Sequence, residues 1–533
     1  MDRTQGIAGS SEAVAFHHDS IAERQRRRSA DQRFPYNTGR LAAEALKRLG
    51  VGHLFTLSGG HIFPLFDGCV EQGIHIVDHR HEEAATHAAE AYAKFTRRPG
   101  VAAVTAGPGV TNAVTSIAAA QFNRSPLLLL AGRAPDFRWG QGSLQEYDHV
   151  PLMSAITKSA ATVHDGDRAH IAVFDAYQEA MRGAPGPTFL DIPLDTLVTA
   201  VENPPVEWPE LSDGVPGVDL DAVARAAGII NGAQRPVIMA GSGAYWHHAE
   251  GPLRELAERA GVPVYMNGLG RGLVPADHPN AFSRSRGAGL GGADVVILLG
   301  TPLDFRLNFG GSPPFADGAR LVRFDALASD LNRNREDDAG VAGNIGVALT
   351  ALVERIDGGA DRESRRGFMA GLRDRERAAE EKDRALLESD ATPIHPLRIY
   401  GELARRLDRD AVVIGDGGDF ISYAGKYVAT YQPGRFIDPG PFGGLGMGAP
   451  SAIAARLAHP DKQVLLLLGD GAAGFSLMEF DTMVRHRLPV VAVVGNNSAW
   501  GLEKHPMEMM YGWSVAAELN PNARYDRVVE ALG

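Results

Sequence analysis

The chain has 533 residues, too many for one hydrophobic core, and a prior of roughly 150 residues per domain divides it into about three. Its 44% hydrophobic and 22% charged residues are those of a globular protein, and its net charge of -12 argues against nucleic acid or an anionic membrane as partner, because phosphate backbones select basic faces. The single cysteine, Cys69, permits no internal disulfide, and neither a signal-peptide core nor a run of roughly 20 apolar residues is found, so a cytoplasmic protein is expected.

Residues 1–34 carry the basic run "RQRRRSADQR" and read as a flexible, solvated arm. Residues 35–200 alternate the strand candidates "HLFTL", "GIHIVD", "GVAAVTA" and "SPLLLLAG" with Ala-rich amphipathic stretches, the pattern of a parallel sheet covered by helices. His61, in "SGGHIFP", is a polar candidate beside the first strand. In "DHRHEEAATHAAEAYAKF", helical spacing sets Glu82, Ala85, Ala89 and Tyr92 on one stripe and Glu83, His87, Glu90 and Lys94 on another. Glu82 is therefore expected to be buried and the second stripe to face water. A buried carboxylate needs a partner or a raised pKa. In "TAGPGVTNA", at 105–113, the glycines permit close backbone approach.

A Pro-rich joint at 201–218 leads to a middle block at 219–357, with "RPVIMAGSG", "ADVVILLG" and "ARLVRFD" as strands. "MAGSGAYW" starts like a dinucleotide fingerprint, but Trp246 occupies the third glycine position. Asp325, at the end of "ARLVRFD", is suited to ribose hydroxyls. The charge-dense segment 358–390 reads as a solvated helical connector.

The last block, 391–533, contains "AVVIGDGG", "QVLLLLGDG" and "PVVAVVGNN". Strand, GDG, helix, strand and NN follow in order, and a right-handed crossover brings Asp470 and Asn497 to the carboxyl ends of neighbouring strands, where open α/β sheets bind ligands. A carboxylate, an amide oxygen and a backbone carbonyl such as that of Ala499 make a hard oxygen site. Magnesium favours such ligands and borrows others from phosphate. The earlier "GDGG" at 415–418 lacks paired amides at the matching distance and reads as a turn.

The segment Gly469–Asn497 resembles the thiamine diphosphate (ThDP) and magnesium motif of enzymes that include acetohydroxyacid synthase, benzoylformate decarboxylase and oxalyl-CoA decarboxylase, and the resemblance covers about 35–533. It implies an α/β protein of three similar-sized domains with parallel sheets flanked by helices. The pyrimidine-binding domain would be 35–200, the middle, ADP-binding domain 219–357, and the diphosphate- and magnesium-binding domain 391–533. Asp470 and Asn497 are the implied metal ligands, with Gly469 and Gly471 beside the cofactor. The family's "RHEQ" falls on Arg80–Glu83, with Glu83 replacing its Gln, and makes Glu82 the acid at the pyrimidine ring. That acid favours the imino tautomer, whose nitrogen removes the thiazolium proton. "GPFGGLGMG", at 440–448, resembles the stretch that props the cofactor in a bent shape, which assigns the prop to Leu445; "SLQEYD", at 143–148, resembles a loop at the substrate entrance.

"GSGAYW", "LGRGLVPADHP" and "LLGTPLDFRLNFG" are similar to the family's acyl-CoA branch. That branch holds ADP as a structural ligand, which implies a role for Asp325 at its ribose and for Arg271 at that ADP or at a CoA phosphate. "NNSAWGLEKHPMEMMYG" is most similar to 2-hydroxyacyl-CoA lyases, in particular an actinobacterial type acting on 2-hydroxyisobutyryl-CoA. The implied reaction yields acetone, or another ketone or aldehyde, plus formyl-CoA. Glu503 is the implied base or orienter of the substrate hydroxyl, with His61 second. An oxalyl-CoA decarboxylase or an acetohydroxyacid synthase-like carboligase with FAD are the alternatives. Glu82 and Asp470 lie in different domains and meet across a subunit interface in the family's relatives, so a homodimer or homotetramer is expected. Related acyl-CoA enzymes continue for several tens of residues beyond the position of "YDRVVEALG" as a lid, which is expected to be absent here.

Overall fold

A computed structural model describes residues 35–211, 217–359 and 362–533, so the basic run at 24–33 lies outside the described residues. Three parallel sheets follow one another along the chain. The first contains β1 (His53–Thr56), β2 (His75–Asp78), β3 (Gly100–Val104), β4 (Leu127–Arg133), β5 (Ser159–Thr162) and β6 (Pro187–Pro193), in the order β2-β1-β3-β4-β6-β5. β3, β4 and β6 are buried along their whole length, as expected of parallel strands covered on both faces.

The second sheet contains β7 (Pro236–Ala240), β8 (Val264–Met266), β9 (Ala281–Phe282), β10 (Val295–Leu299), β11 (Arg320–Asp325) and β12 (Ala339–Ala342), in the order β12-β11-β10-β7-β8-β9. Its strand order reverses between β7 and β10, which opens a crevice at their carboxyl ends. The "GSG" glycines lie there, packed backbone to backbone: a Cβ on Gly300 (φ +55°) would stand 2.4 Å from the Gly243 Cα. The third sheet contains β13 (Val412–Asp416), β14 (Phe436–Ile437), β15 (Val464–Gly469) and β16 (Val491–Gly495), in the order β14-β13-β15-β16. Gly469 registers with Gly495, so Asp470 and Asn497 leave adjacent strand ends. Asp416 registers with Leu468 at the same edge, so the "GDGG" turn belongs to this site after all.

The Glu82–Thr96 helix departs from the amphipathic expectation. Glu82 is buried, but so are His87, Glu90 and Lys94, at 2%, 2% and 3% exposure. The Gly448–Ala458 helix packs against this helix, and that second helix is buried from Gly448 to Ala455. Two Ala-rich helices from opposite ends of the chain thus seal each other's faces. Lys94 Nζ bonds Glu90 Oε1 at 2.7 Å, and Asn123 Nδ2 and Ser125 Oγ donate to the same oxygen at 2.9 and 3.0 Å. Burial raises the Glu90 pKa, but the Lys94 charge and the neighbouring His87 outweigh it and hold the group well below the ordinary carboxylate range.

The 25-residue helix Glu363–Leu387 presents charge to solvent along most of its length and buries only Arg365, Leu372 and Glu376. Among the described residues, no helix is long and apolar enough to cross a membrane.

Candidate active site

A cleft of about 720 Å³ opens at the carboxyl edge of the third sheet, and Leu445, Gly469, Asp470, Gly471, Asn497, Ala499 and Glu503 all line it. Asp470 begins the Asp470–Ser476 helix and is 3% exposed. Burial raises its pKa, opposed by the nearby main-chain N–H groups of Gly471, Ser498 and Ala499. Its Oδ2 nevertheless has no hydrogen-bond partner and no contact with water. Such an oxygen costs about 1–3 kcal/mol unless something positive meets it.

The residues around Asp470 fit a hard cation. Asn497 is exposed on the cleft, with its Oδ1 accepting from the Ala499 N–H at 3.1 Å. The Ser498 carbonyl accepts from Leu519, and the Trp500 carbonyl from Glu503 and Lys504, so among three consecutive carbonyls the middle one, of Ala499, is left for a cation. Among the described residues, no group of three or more His, Cys, Asp or Glu could hold a metal. One carboxylate, one amide and one carbonyl suit magnesium if a phosphate completes the shell. Gly471 is required for packing, since a Cβ there would come within 2.5 Å of the Trp500 ring.

Asp416 is a site residue that sequence reasoning passed over. It is fully buried, and its Oδ2 accepts from the Gly446 and Gly448 N–H groups at 3.0 and 2.8 Å. It therefore pins the C-terminal end of the loop that presents Leu445 to the cleft, from the residue directly after Leu445 onward. Burial pushes its pKa up to about 6, against those two bonds and the nearby His87. The available signal was the repetition of strand followed by GDG.

Glu503 lies exposed in the first turn of the Gly501–Tyr511 helix. Lys504 pairs instead with Glu518 at 3.1 Å and Glu508 at 3.9 Å, so the local ion pairs bypass Glu503. Arg271, Arg286 and Arg306 line the same cleft from the second sheet's side. Arg271 Nη1 donates to the Gly425 carbonyl at 2.7 Å, while its buried Nε lacks a partner.

None of the residues lining this cleft comes from the first sheet. Glu82 is 6% exposed at the start of its helix and accepts from Asn112 Nδ2 at 3.0 Å. His61 is also buried, with Nδ1 3.1 Å from Thr105 Oγ1, which donates to Gln145 Oε1 at 3.2 Å. Burial holds the His61 pKa down. The loops "SGGHIFP", "TAGPGVTNA" and "SLQEYD" therefore converge on one another, apart from Asp470 in the same chain.

Asp325 and Arg271 are not brought together. Asp325 Oδ1 accepts from Arg124 Nη1 at 3.0 Å, and Arg124 Nη2 reaches Asp330 at 2.6 Å. Burial raises the Asp325 pKa and Arg124 opposes that rise. The carboxylate expected at a ribose is committed to an ion pair between the first and second sheets' blocks. A separate cavity at the β7–β10 reversal is lined by Ser242, Gly243, Gly300, Arg306 and Arg124.

Comparison with known proteins agrees with this architecture. Residues 36–152 match the N-terminal TPP binding domain of thiamine pyrophosphate enzymes, 223–352 the central domain, and 416–533 the C-terminal TPP binding domain. The chain is 50% identical over 499 residues to a probable acetolactate synthase of Mycobacterium bovis, covering 93% of this chain and 90% of that protein. It is 35% identical over 531 residues to 2-hydroxyacyl-CoA lyase 2 of Homo sapiens, covering 90% and 82%, and 32% identical over 544 residues to that of Caenorhabditis elegans, covering 94% and 84%.

Proposed function

Because the chain belongs to the thiamine pyrophosphate enzyme family, we propose that it is a carbon–carbon lyase cleaving a 2-hydroxyacyl-CoA, with 2-hydroxyisobutyryl-CoA as the first candidate, to a ketone or aldehyde plus formyl-CoA. The observation that carries the reading is Glu503: an exposed carboxylate, outside the local ion pairs, on the same cleft as Asp470 and Asn497. Cleavage of a 2-hydroxyacyl-CoA requires removal of the hydroxyl proton, and a decarboxylation does not. Glu503 takes that proton or orients the hydroxyl.

In this reading Asp470, Asn497 and the Ala499 carbonyl would hold Mg2+, and Gly469 and Gly471 would lie beside the cofactor's diphosphate. ThDP, when bound, would supply a nucleophilic thiazolium carbon for the thioester carbonyl and a ring that delocalises the electron pair left on that former carbonyl carbon as the carbon–carbon bond breaks. Leu445 props the cofactor, and Glu82 holds a proton at the pyrimidine nitrogen. His61 is the second candidate for the base or orienter of the substrate hydroxyl, and Arg271 would meet a phosphate of the ADP or of the CoA. An ADP in the middle domain would use the β7–β10 cavity, with Arg124 and Arg306 as its cations, while Asp325 holds Arg124. Since Glu82 does not line the Asp470 cleft, a complete site takes Glu82 from a second copy, in a cytoplasmic homodimer or homotetramer.

The relative named acetolactate synthase, at 50% identity, favours a second reading as a carboligase. Incubation with ThDP, Mg2+ and 2-hydroxyisobutyryl-CoA, in parallel with ThDP, Mg2+ and pyruvate, separates the two by mass detection of products. Formyl-CoA supports the lyase. Acetolactate, without formyl-CoA from any 2-hydroxyacyl-CoA, overturns it.

A further inference from the structure

We propose that Glu479 is the positioning residue for Glu82, fixing the main chain that leads into that acid; this rests on the reading of Glu82 as the cofactor's acid. Glu479 begins the Glu479–Arg485 helix, which lies within the Gly469–Asn497 segment between Asp470 and Asn497, and is 2% exposed. Its Oε1 accepts the Arg80 main-chain N–H at 2.8 Å, and its Oε2 lies 2.9 Å from His79 Nδ1 and accepts from Thr482 Oγ1 at 2.9 Å. A buried carboxylate with two partners from the distant His79–Arg80 segment and a third, Thr482, on its own helix is a specific anchor, worth more than an exposed ion pair.

Every residue from 78 to 80 is held by this one helix and the residue after it. Asp78 accepts from Arg485 Nη1 at 2.5 Å and lies 2.9 Å from His486 Nε2. Arg80 Nη1 donates to Asp481 at 3.1 Å. His81 then caps the Glu82–Thr96 helix by accepting the Glu83 N–H at 3.1 Å. The chain therefore passes from an immobilised strand end into a capped helix, with Glu82 at the junction. The Asn112 bond reaches only the Glu82 side chain, so it cannot set the height of the main chain. Displacement of a reacting group by about 1 Å can cost roughly a hundredfold in rate, so this anchor bears on chemistry as well as on stability.

The test compares Glu479→Ala, Glu479→Gln and Glu82→Gln with the parent protein. Amide hydrogen exchange across residues 78–85 is read by mass spectrometry without cofactor. The exchange of the bound ThDP C2 proton for deuterium is read after acid quench, at saturating ThDP and Mg2+. Glu479→Ala is expected to speed amide exchange and slow C2 exchange by at least about tenfold each, with the ThDP Kd within about threefold. Glu479→Gln retains an acceptor for Arg80, serves if the alanine variant fails to fold, and is expected to slow C2 exchange by at least about threefold. Parent-like C2 exchange in the folded Glu479 variants, with Glu82→Gln slow, overturns the positioning role alone. Parent-like exchange in Glu82→Gln as well overturns both this role and the reading of Glu82.

Discussion

The Asn112 side-chain amide donates to Glu82 Oε2 at 3.0 Å, and this is the side-chain hydrogen bond to that carboxylate among the described residues. Asn112 comes from the "TAGPGVTNA" turn, whose Thr105 also holds His61. The turn thus orders two candidate groups at once and leaves Glu82 Oε1 free to meet a ring nitrogen.

Glu82→Gln preserves the shape and the Asn112 contact but cannot hold the proton. It is expected to bind ThDP with near-parent affinity and to lower kcat by at least about a hundredfold. Cofactor titration followed by fluorescence quenching, combined with steady-state kinetics, checks this. Near-normal turnover removes Glu82 from the chemistry.

Removal of the metal should act through Asp470. ThDP with Mg2+ at about a hundred times Kd is expected to stabilise the parent by about 2.7 kcal/mol, and EDTA to abolish the gain. Asp470→Ala is expected to show no gain from the pair, since the unpartnered Oδ2 is gone. Melting curves with and without EDTA give the answer, and a retained Mg2+-dependent gain in the variant would exclude Asp470 as a ligand.

The Glu503 assignment predicts a selective loss. Glu503→Ala, at an exposed position outside the ion pairs, is expected to change Tm little. Lyase kcat should drop by about 10² to 10⁴, the usual range for a general base. Full formyl-CoA production by the variant would end the role.

Asp416 gives a pH dependence whose sign can be worked out. Its folded pKa of about 6 lies above the ordinary 3.8, so the cost of burying the anion is fully present above about 6 and is relieved as pH falls from there towards 3.8. The difference, 6 − 3.8 = 2.2, corresponds to about 3 kcal/mol. Asp416→Asn removes the titration, so the stability of the parent relative to this variant is expected to rise as pH is lowered from 7.5 to 5. Denaturant titrations across that range check it; a constant difference would show that Asp416 titrates normally.

Glu90 and Lys94 form a buried pair. Glu90→Leu leaves Lys94 charged and unpaired and is expected to cost about 3–5 kcal/mol, whereas the double variant with Lys94→Met should recover most of it. A double-mutant cycle by urea denaturation measures the coupling, and simple additivity of the two losses would show that the pair does not act as a unit.

The sequence by itself determined the alternation of strand and helix and the meeting of Asp470 with Asn497. Both follow from local rules: continuous apolar runs form parallel strands, and a right-handed crossover sets consecutive strands side by side, here with Gly469 opposite Gly495. Only the tertiary structure decided what covers each face. Helical spacing marks His87, Glu90 and Lys94 as polar, but they are buried, with Asn123 and Ser125 on Glu90 and a helix from near the other end of the chain packed against theirs. Asp325 ends a strand in a position suited to ribose hydroxyls, and the tertiary structure sets Arg124 on its carboxylate. Asp416 looked like part of a turn, though it holds the Leu445 loop through main-chain donors that have no side-chain signature. The anchor of Glu82's approach, between His79 and Glu479, joins residues 400 positions apart. Periodicity reports the polarity of a surface, whereas partners so distant in sequence are fixed only when whole domains pack.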